Sequence, residues 1–460
     1  MRALYAGFAL ALAIALVALR VLAPEFTIDR PPQEQPVALA AIVIAAAGLA
    51  FAGLVVSARN SVIAARTFYA LIGVGLALRV MFFGAQPILE DDWRRYLWEG
   101  AAAANGVSPF NYAPADALAF DAFGQPAAAS SDPSIEKLRA LGDRSASYPE
   151  LVNHPYLTTI YPAPAQAAFA AAHAIAPFSL DAWRFILLLC ELVSLFLLLR
   201  VLPAFGAPAQ WALLYWLNPL VIVQTFSGAH MDALVVPPLL AMLWAARLGK
   251  AGLAGAALGL AVGVKLWPVL LAPLVLRRFV KDWRRAASLL ASMGVVALVM
   301  LAPMLLAAFN SESGLAAYAA EWQRNAFAFD AIERLVSMFA IDSAAAARAI
   351  VVALCACAAL WLAREPDHDS AHLPSRALTL VMIILVLSPT AFPWYGVWAA
   401  VFLPFAPGIG AALLAAGAAI YVLRFPNDLT GASLPFLLLG LQVAAPLAVH
   451  LLEQRRRALR

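Results

Sequence analysis

The chain has 460 residues, of which 64% are hydrophobic and 13% are charged, and its formal net charge is +4. Soluble domains contain about 45–50% apolar residues, so this composition and the mean hydropathy of +0.83 exclude a soluble globular protein. Cytoplasmic loops of membrane proteins are rich in lysine and arginine. The positive charge therefore indicates orientation in a membrane and gives no reason to expect a nucleic-acid partner.

Apolar runs long enough to cross a bilayer follow one another along the whole chain. They predict an all-α, polytopic transmembrane bundle with about 12–14 spans, near residues 3–23, 37–57, 67–84, 163–177, 183–203, 208–227, 231–247, 251–276, 286–308, 344–363, 376–390, 394–407, 409–424 and 432–452. The first run starts like a signal peptide, but Arg20 interrupts it and further runs follow, which favours an uncleaved helix.

The distribution of basic residues predicts an N-terminus in the cytoplasm. The segment RRFVKDWRR and the tail QRRRALR then face the cytoplasm, while the loop 85–162, with ten acidic and five basic residues, faces outwards. The polar segments 309–340 and 388–398 fall on the outer side as well. Arg247 and Lys250 are also placed on the outer side, which contradicts the positive-inside rule. A half-crossing helix in the middle of the chain would move the following loop to the other face of the membrane.

The segment ILEDDWRRYLWEG, residues 88–100, contains three consecutive acids followed closely by two arginines. One interpretation is structural: Asp91 or Asp92 caps a short helix that ends at the Asn-Gly pair 105–106, and its aromatic residues lie at headgroup level. The other is chemical: one carboxylate takes the proton from an attacking hydroxyl, and its neighbour supports it or binds a cation. Arg95, one turn later, would orient the carboxylate or neutralise a phosphate.

Six motif groups follow one another along the chain: DDWRRYLWEG with ANGVSPFNYAP, then NHPYLTTIYPAPAQ, NPLVIVQTFSGAHMDAL, AALGLAVGVKLWPVLLAP, EWQRN and SPTAFPWYGVW. In this order they resemble the motifs of polytopic membrane glycosyltransferases with the GT-C fold. Within that superfamily the chain is most similar to bacterial polyprenol-phosphate-mannose-dependent mannosyltransferases, over roughly residues 67–405. The resemblance implies a two-helix extension at 1–66, a catalytic membrane module at 67–408 that contains an ordered external loop at 85–162, and C-terminal helices with a basic tail at 409–460.

The resemblance also implies an enzyme of the bacterial inner membrane whose active site faces the periplasm. Its donor would be a mannose-like hexose on polyprenyl phosphate, and its acceptor would be a hydroxyl group of a lipid, glycan or protein. Transfer would invert the configuration of the anomeric carbon. The resemblance implies membrane lipids as further partners and no nucleic-acid partner. Asp91 or Asp92 would be the general base. The residues implied to bind substrate are Arg95, Tyr96, His154, Tyr161, Trp322, Arg324, Asn325, Trp394 and Tyr395.

Two questions about the site stay open at this level. Related sequences place a histidine before Pro-Trp-Tyr, where this chain has Phe392. If that histidine handles the donor phosphate, His154 and Arg324 are the candidates to replace it. No cofactor is certain, since the family includes members with and without a metal, but Mg²⁺ or Mn²⁺ would bind at Asp91 and Asp92 if one is used.

Further polar residues in apolar surroundings have two interpretations each. His230 and Asp232 in GAHMDAL form either part of the site or a polar turn, which the span count places on the cytoplasmic side. Lys265 either meets a lipid phosphate or snorkels to the cytoplasmic surface. The alternative functions are a lipid or glycolipid transporter, in which Arg79, Glu191 and Lys265 line a path, and a structural subunit, which would not need the acidic cluster.

Overall fold

The computed structural model describes residues 2–27, 30–118, 131–145, 148–307, 313–424 and 436–459. Within these ranges 75% of the residues are helical and no strand occurs, which confirms the all-α class. The predicted loops 85–162 and 309–340 and the predicted span 432–452 each extend in part beyond the described residues.

Short turns join most of the helices. The α-helices are α1 Arg2–Leu22, α2 Val37–Arg59, α3 Ala65–Val80, α4 Asp92–Ala104, α5 Pro133–Arg144, α6 Tyr148–Leu151, α7 Ala163–Ile175, α8 Leu180–Ala204, α9 Leu213–Trp216, α10 Pro219–Ile222, α11 Val236–Arg247, α12 Ala251–Val264, α13 Ala272–Leu276, α14 Trp283–Ala307, α15 Gly314–Glu321, α16 Ala328–Val336, α17 Ser343–Ala363, α18 Leu373–Leu387, α19 Gly396–Ala400, α20 Ile409–Val422 and α21 Phe436–Ala458. Single 3₁₀ or π turns cover Ala23–Glu25, Pro32–Glu34, Pro114–Ala117, Ala209–Ala212, Val223–Ser227, Met231–Val235, Trp267–Leu271, Pro393–Tyr395 and Leu403–Phe405.

Polar caps and prolines define where many helices begin. The side chains of Ser179, Asn218 and Asp342 each accept a hydrogen bond from a backbone N–H in the first turn of α8, α10 and α17. Proline occupies the first turn of α7, α10 and α18, where its missing N–H has no intrahelical partner to lose. These caps and prolines divide the apolar sequence into helices that are shorter than those predicted from hydropathy alone.

Six helices of the described part of the chain are long and apolar enough to cross a membrane, which confirms a polytopic membrane protein: α1, α2, α8, α14, α17 and α21. A seventh crossing is reached if the pair Pro219–Ser227 and Met231–Arg247, bent by 117°, counts as one span. Four further apolar helices have only 10–17 residues, about 25 Å at most, and fall short of a hydrocarbon core of about 30 Å. There are therefore fewer full-length crossings than the sequence predicts.

Helix α7, where a span was predicted at 163–177, does not cross the bundle. It packs along α4 so closely that a Cβ atom on Gly100 would lie 2.4 Å from the carbonyl oxygen of Phe169. The chain then turns back, and α8 starts beside the end of α3, where the backbone N–H of Gly84 donates to both carboxylate oxygens of Asp181 at 3.0 Å. The predicted map counts α7 as a crossing and therefore places the residues from the end of α7 to residue 250 on the wrong side of the membrane.

The apolar run 251–276, predicted as one span, is a hairpin that turns at residues 265–266 between α12 and the turn Trp267–Leu271. Both ends of the hairpin lie at the end of the bundle that carries RRFVKDWRR, the basic end, because Arg278 Nη1 donates to the carbonyl oxygen of Arg247 at 2.9 Å. Arg247 thus lies beside the segment RRFVKDWRR, and its predicted position on the outer side is wrong. The predicted map counts α7 as a crossing and counts the hairpin 251–276 as a single crossing. These two errors cancel, so the predicted side of the segment RRFVKDWRR is unaffected.

Candidate active site

A cavity of about 840 Å³ lies at the end of the bundle where α4 and the turn at 265–266 meet. Its walls come from all three polar segments that the sequence predicts to face outwards. Eleven of the predicted site residues line it: Asp91, Asp92, Arg95, Tyr96, His154, Tyr161, Lys265, Trp322, Arg324, Trp394 and Tyr395. The other three, His230, Asp232 and Asn325, are not among the lining residues.

The acidic pair lies at the start of α4 and is held by Asn153. The Asn153 Nδ2 atom donates to Asp92 Oδ1 at 2.8 Å and to Asp91 Oδ1 at 3.2 Å. Asp91 is the N-cap residue of α4, yet its side chain makes no capping hydrogen bond. The Trp93 and Tyr96 side chains are buried and do not form a belt at headgroup level. The helix thus begins at the acidic pair and ends at Asn105, as the structural interpretation predicts, but its side-chain cap and its belt at headgroup level are not found.

Asp92 is a buried carboxylate whose pKa differs from that of an ordinary aspartate. The pKa of Asp92 is raised to about 6, mainly by burial and in part by the carboxylates of Asp91 and Glu90, while His230 and the hydrogen bond from Asn153 oppose the increase. An aspartate with this pKa accepts a proton more readily than an ordinary one and is still mainly ionised at neutral pH. Burial also raises the pKa of Glu90 well above its ordinary value.

Arg95 organises the site through the loop that faces it. Its guanidinium donates to the carbonyl oxygens of Asn153 and His154 at 2.7 Å each and to that of Leu157 at 3.2 Å. It also donates to Glu99 Oε1 at 3.1 Å and to Asn153 Oδ1 at 3.4 Å. Arg95 does not contact the acidic pair directly. It fixes the position of Asn153, which in turn holds both carboxylates.

His230 lies directly behind the acidic pair. Its Nε2 atom is 3.4 Å from Glu90 Oε2, its Nδ1 atom is 3.7 Å from Asp92 Oδ2, and its ring stacks on Trp394 with centroids 3.8 Å apart. The side chain is only 1% exposed. The span count had placed His230 at the opposite end of the bundle, and this is wrong because α7 does not cross.

Lys265 carries a positive charge into the cavity from the turn after α12. Its Nζ atom is 3.2 Å from Asp232 Oδ1, which also accepts a hydrogen bond from Trp398 Nε1 at 2.7 Å. The ammonium lies 5.1 Å from the centroid of the Tyr395 ring and 5.7 Å from that of Trp398, within the range of cation–π attraction. Lys265 does not snorkel towards the basic end, and buried Asp232 holds it in place.

The second and third polar segments are joined by backbone hydrogen bonds. The Arg324 N–H donates to the Pro389 carbonyl at 2.9 Å, and the Ala391 N–H donates to the Arg324 carbonyl at 3.1 Å. The side chain of Arg324 is exposed at the cavity. Asn325 has φ +54°, and its buried Nδ2 has no hydrogen-bond partner among the described residues. Asn325 therefore shapes the backbone beside the cavity and does not line it.

Aromatic rings cover much of the cavity wall. The His154 ring meets the Trp322 ring edge to face at 4.4 Å, and Phe392 stacks on Trp394 at 4.4 Å. Phe392, at the position where a histidine was expected, is thus part of this wall. Burial and the charge of Arg95 lower the pKa of His154, so His154 is neutral near pH 7. Of the two substitutes named from sequence, only Arg324 brings a positive charge.

Tyr96 and Tyr161 form the wall beneath Asp92. Their rings pack edge to face at 5.2 Å, and Tyr96 stacks on Phe169 at 4.8 Å. Burial raises the pKa of both tyrosines well above its ordinary value, so both stay protonated. They can donate hydrogen bonds but cannot act as bases at neutral pH.

Several residues of the site were not identified from sequence. Asn153 was not predicted as a site residue, although its place before His154 in NHPYLTTIYPAP was a usable signal. Tyr318, whose hydroxyl lies 2.8 Å from that of Tyr395, had no local signal. Arg30 and Arg424 also line the cavity, although they come from the two ends of the chain.

Charged groups elsewhere do not extend the site. Arg79 and Glu191 form an ion pair at 2.8 Å in which both side chains are 0% exposed, and Tyr215 donates to Glu191 at 2.5 Å. Arg79 therefore does not snorkel, and neither residue lines a path. Among the described residues, no group of three or more His, Cys, Asp or Glu side chains is arranged to hold a metal ion.

Comparison with known proteins supplies the family. No curated protein and no solved structure matches the chain. The family model described as "Glycosyltransferase family 87" matches residues 159–389, which is half of the chain and includes Tyr161, His230, Asp232, Lys265 and Trp322. The chain therefore belongs to glycosyltransferase family 87 and is a membrane glycosyltransferase.

Proposed function

We propose that the protein transfers a mannose-like hexose from a polyprenyl-phosphate donor to an acceptor hydroxyl, with inversion, and that Asp92 is the general base. The observation that carries this proposal is the position of Asp92, fixed by Asn153 at 2.8 Å, in a cavity that Lys265 also lines. A base and a cation in one cavity suit an attack by a hydroxyl on a phosphate-bound sugar.

The lipid donor fits the side of the cavity that is formed by apolar residues. Val264, Leu266, Met304, Leu315 and Ile384 line it there, from the ends of α12, α14 and α18 and from α15. An isoprenoid chain would lie against these side chains. The Lys265 ammonium stands among them, where it can neutralise the donor phosphate as a point charge while it remains bound to Asp232.

The proposed reaction is a single displacement. The acceptor oxygen forms a bond to the anomeric carbon while the bond from that carbon to the phosphate oxygen breaks. Polyprenyl phosphate leaves with the electron pair of that bond, and the hydroxyl proton passes to the carboxylate of Asp92. Attack on the face opposite the phosphate inverts the anomeric configuration, and early departure of the phosphate gives the sugar oxocarbenium-like character.

The positive-inside rule supports an active site on the periplasmic side of a bacterial inner membrane. The ends of α2 and α21 that lie away from the cavity carry arginines, and Arg59 contacts Glu453 there at 3.3 Å. Arg247 and the segment 277–285 lie at that same end of the bundle. With these residues in the cytoplasm, the cavity opens on the opposite face, where polyprenyl-linked sugars would meet their acceptors.

The test is transfer of label from polyprenyl-phosphate mannose, glucose and arabinose to native membrane lipids by the purified protein. We expect Asp92→Asn to lower transfer at least about 100-fold, the lower end of what a general base contributes. Asp143→Asn, in exposed α5 away from the cavity, is the matched control and should retain full activity. Full activity of Asp92→Asn would exclude Asp92 as the base, and full activity of Asp91→Asn as well would exclude the acidic pair from this role.

A divalent cation at Asp91 and Asp92 is a separate part of the proposal. Two carboxylates supply only part of an octahedral Mg²⁺ site, so donor phosphate oxygens and water would complete it. Loss of transfer in EDTA, with recovery on addition of Mg²⁺ or Mn²⁺, is the result expected of such a site. Unchanged transfer in EDTA removes the ion from the mechanism.

A further inference from the structure

We infer that the loop between α1 and α2 binds the acceptor and sets acceptor specificity through hydroxyl groups of an acceptor sugar. This inference rests on the proposed glycosyl transfer and assigns one wall of the same cavity. The loop residues that line the cavity are Phe26, Thr27, Arg30 and Gln35. None of them belongs to the region 159–389 that the family model matches.

The residues of this wall differ in chemistry from the residues assigned to the donor chain. Arg30, Gln35 and Thr27 present polar groups, and Glu90 and Arg424 line the cavity as well. The wall assigned to the donor chain consists of apolar side chains from α12, α14, α15 and α18. A lipid chain would bury its surface on the apolar wall, so the hydroxyl-bearing substrate is left to the polar one.

Gln35 has an unused hydrogen-bond acceptor in this wall. Its Nε2 atom donates to the carbonyl oxygens of Thr27 at 3.0 Å and Arg30 at 2.5 Å, which closes the loop. Its Oε1 atom is buried and has no hydrogen-bond partner among the described residues. Buried polar atoms are nearly always paired, so this oxygen is suited to accept a hydrogen bond from a substrate hydroxyl.

Arg30 adds donors to the same wall. Its Nη1 atom is 2.6 Å from Glu25 Oε2, and its side chain is 42% exposed. A guanidinium has five N–H donors, so this contact leaves donors for a sugar hydroxyl. Glu25 does not line the cavity, which makes it a suitable control for the ion pair.

Phe26 and helix α2, on the two sides of this wall, pack into the bundle. The Phe26 side chain is 4% exposed. Helix α2 packs against α20 so closely that a Cβ atom on Gly48 would lie 2.2 Å from the backbone nitrogen of Ala416. Because α20 ends next to Arg424, the helices that carry the loop also position the other polar residues of this wall.

The experiment compares two products of the full-length protein with labelled polyprenyl-phosphate sugar. One is label transferred to a native membrane lipid extract, and the other is free sugar released by water in the absence of extract. We expect Arg30→Ala and Gln35→Ala to lower the ratio of transfer to hydrolysis about tenfold, the effect of one lost hydrogen bond to a charged or buried group. Hydrolysis itself should stay within about twofold, because the donor site and Asp92 are unchanged.

Glu25→Ala removes the same ion pair without removing a lining group, and we expect it to keep the unaltered ratio. An equal loss in Glu25→Ala and Arg30→Ala, or an unchanged ratio in Arg30→Ala and Gln35→Ala, would overturn the inference while the proposed function stands. If the unaltered protein neither transfers nor releases label from any polyprenyl-phosphate sugar, the proposed function is overturned and the inference with it.

Discussion

The side-chain amide of Asn153 lies 2.8 Å from Asp92 Oδ1 and fixes one oxygen of this carboxylate at the cavity. The two residues are 61 positions apart in the sequence. Arg95 joins them structurally, because it binds the Asn153 backbone and side chain from the helix that begins at Asp92. The position of the base therefore depends on a loop residue that has no acid–base chemistry of its own.

Asn153→Ala should lower the rate of transfer about tenfold, because a hydrogen bond to a charged group contributes about 1.5–3 kcal/mol. The control is Asn105→Ala at the other end of α4, where the side chain donates only to the Ala101 carbonyl. Steady-state rates at saturating donor measure both variants. An equal loss in the two would mean that the effect comes from α4 and not from the carboxylate.

The pH dependence of transfer should follow the ionisation of Asp92. The base works as a carboxylate, so kcat/KM should rise with pH up to about 6, where Asp92 in the free protein is half ionised, and should level off above it. Asn153→Ala should move this rise to higher pH, because the Asn153 hydrogen bond lowers the pKa of Asp92. A profile that is flat down to pH 4.5 would contradict the assignment.

The acidic pair and the aromatic segments could be predicted because their composition departs from the apolar sequence around them. The end of the bundle at which His230 lies could not be predicted. Hydropathy counts apolar residues, and it does not distinguish a crossing helix from α7, whose 13 residues pack along α4. The turn at His230 also depends on Ala229, which adopts φ +58° without any glycine or asparagine at that position to signal it.

The contribution of the loop between α1 and α2 was beyond prediction for a different reason. Arg30 and Gln35 lie in a short polar connection of the kind that joins any two helices, and their residue types indicate no site. Only the packing of α2 on α20 brings this connection to the cavity. Asn153 is an intermediate case, since it belongs to the motif NHPYLTTIYPAPAQ but its contact with Asp92 requires the fold.

Lys265→Met should raise the KM for the donor about tenfold or more and leave the KM for the acceptor unchanged, because it removes the charge beside the donor phosphate and keeps the apolar stem. Lys250→Met is the control, since Lys250 precedes the same helix α12 at its opposite end. Initial rates over a range of donor concentrations give both constants. An equal rise in both KM values would place Lys265 outside the donor site.

Buried Arg79 and Glu191 should matter for stability and not for the reaction. Both side chains are 0% exposed and 2.8 Å apart, so replacing one leaves an uncompensated charge. We expect Glu191→Leu or Arg79→Met to lower the free energy of unfolding by about 3–5 kcal/mol, whereas the double variant should lose much less. Thermal denaturation in detergent micelles measures the order of the midpoints, with Arg285→Ala, whose side chain is 63% exposed, as the control for a surface ion pair. Because neither residue lines the cavity, folded double variant should retain transfer, and its loss would require a role for this pair in catalysis.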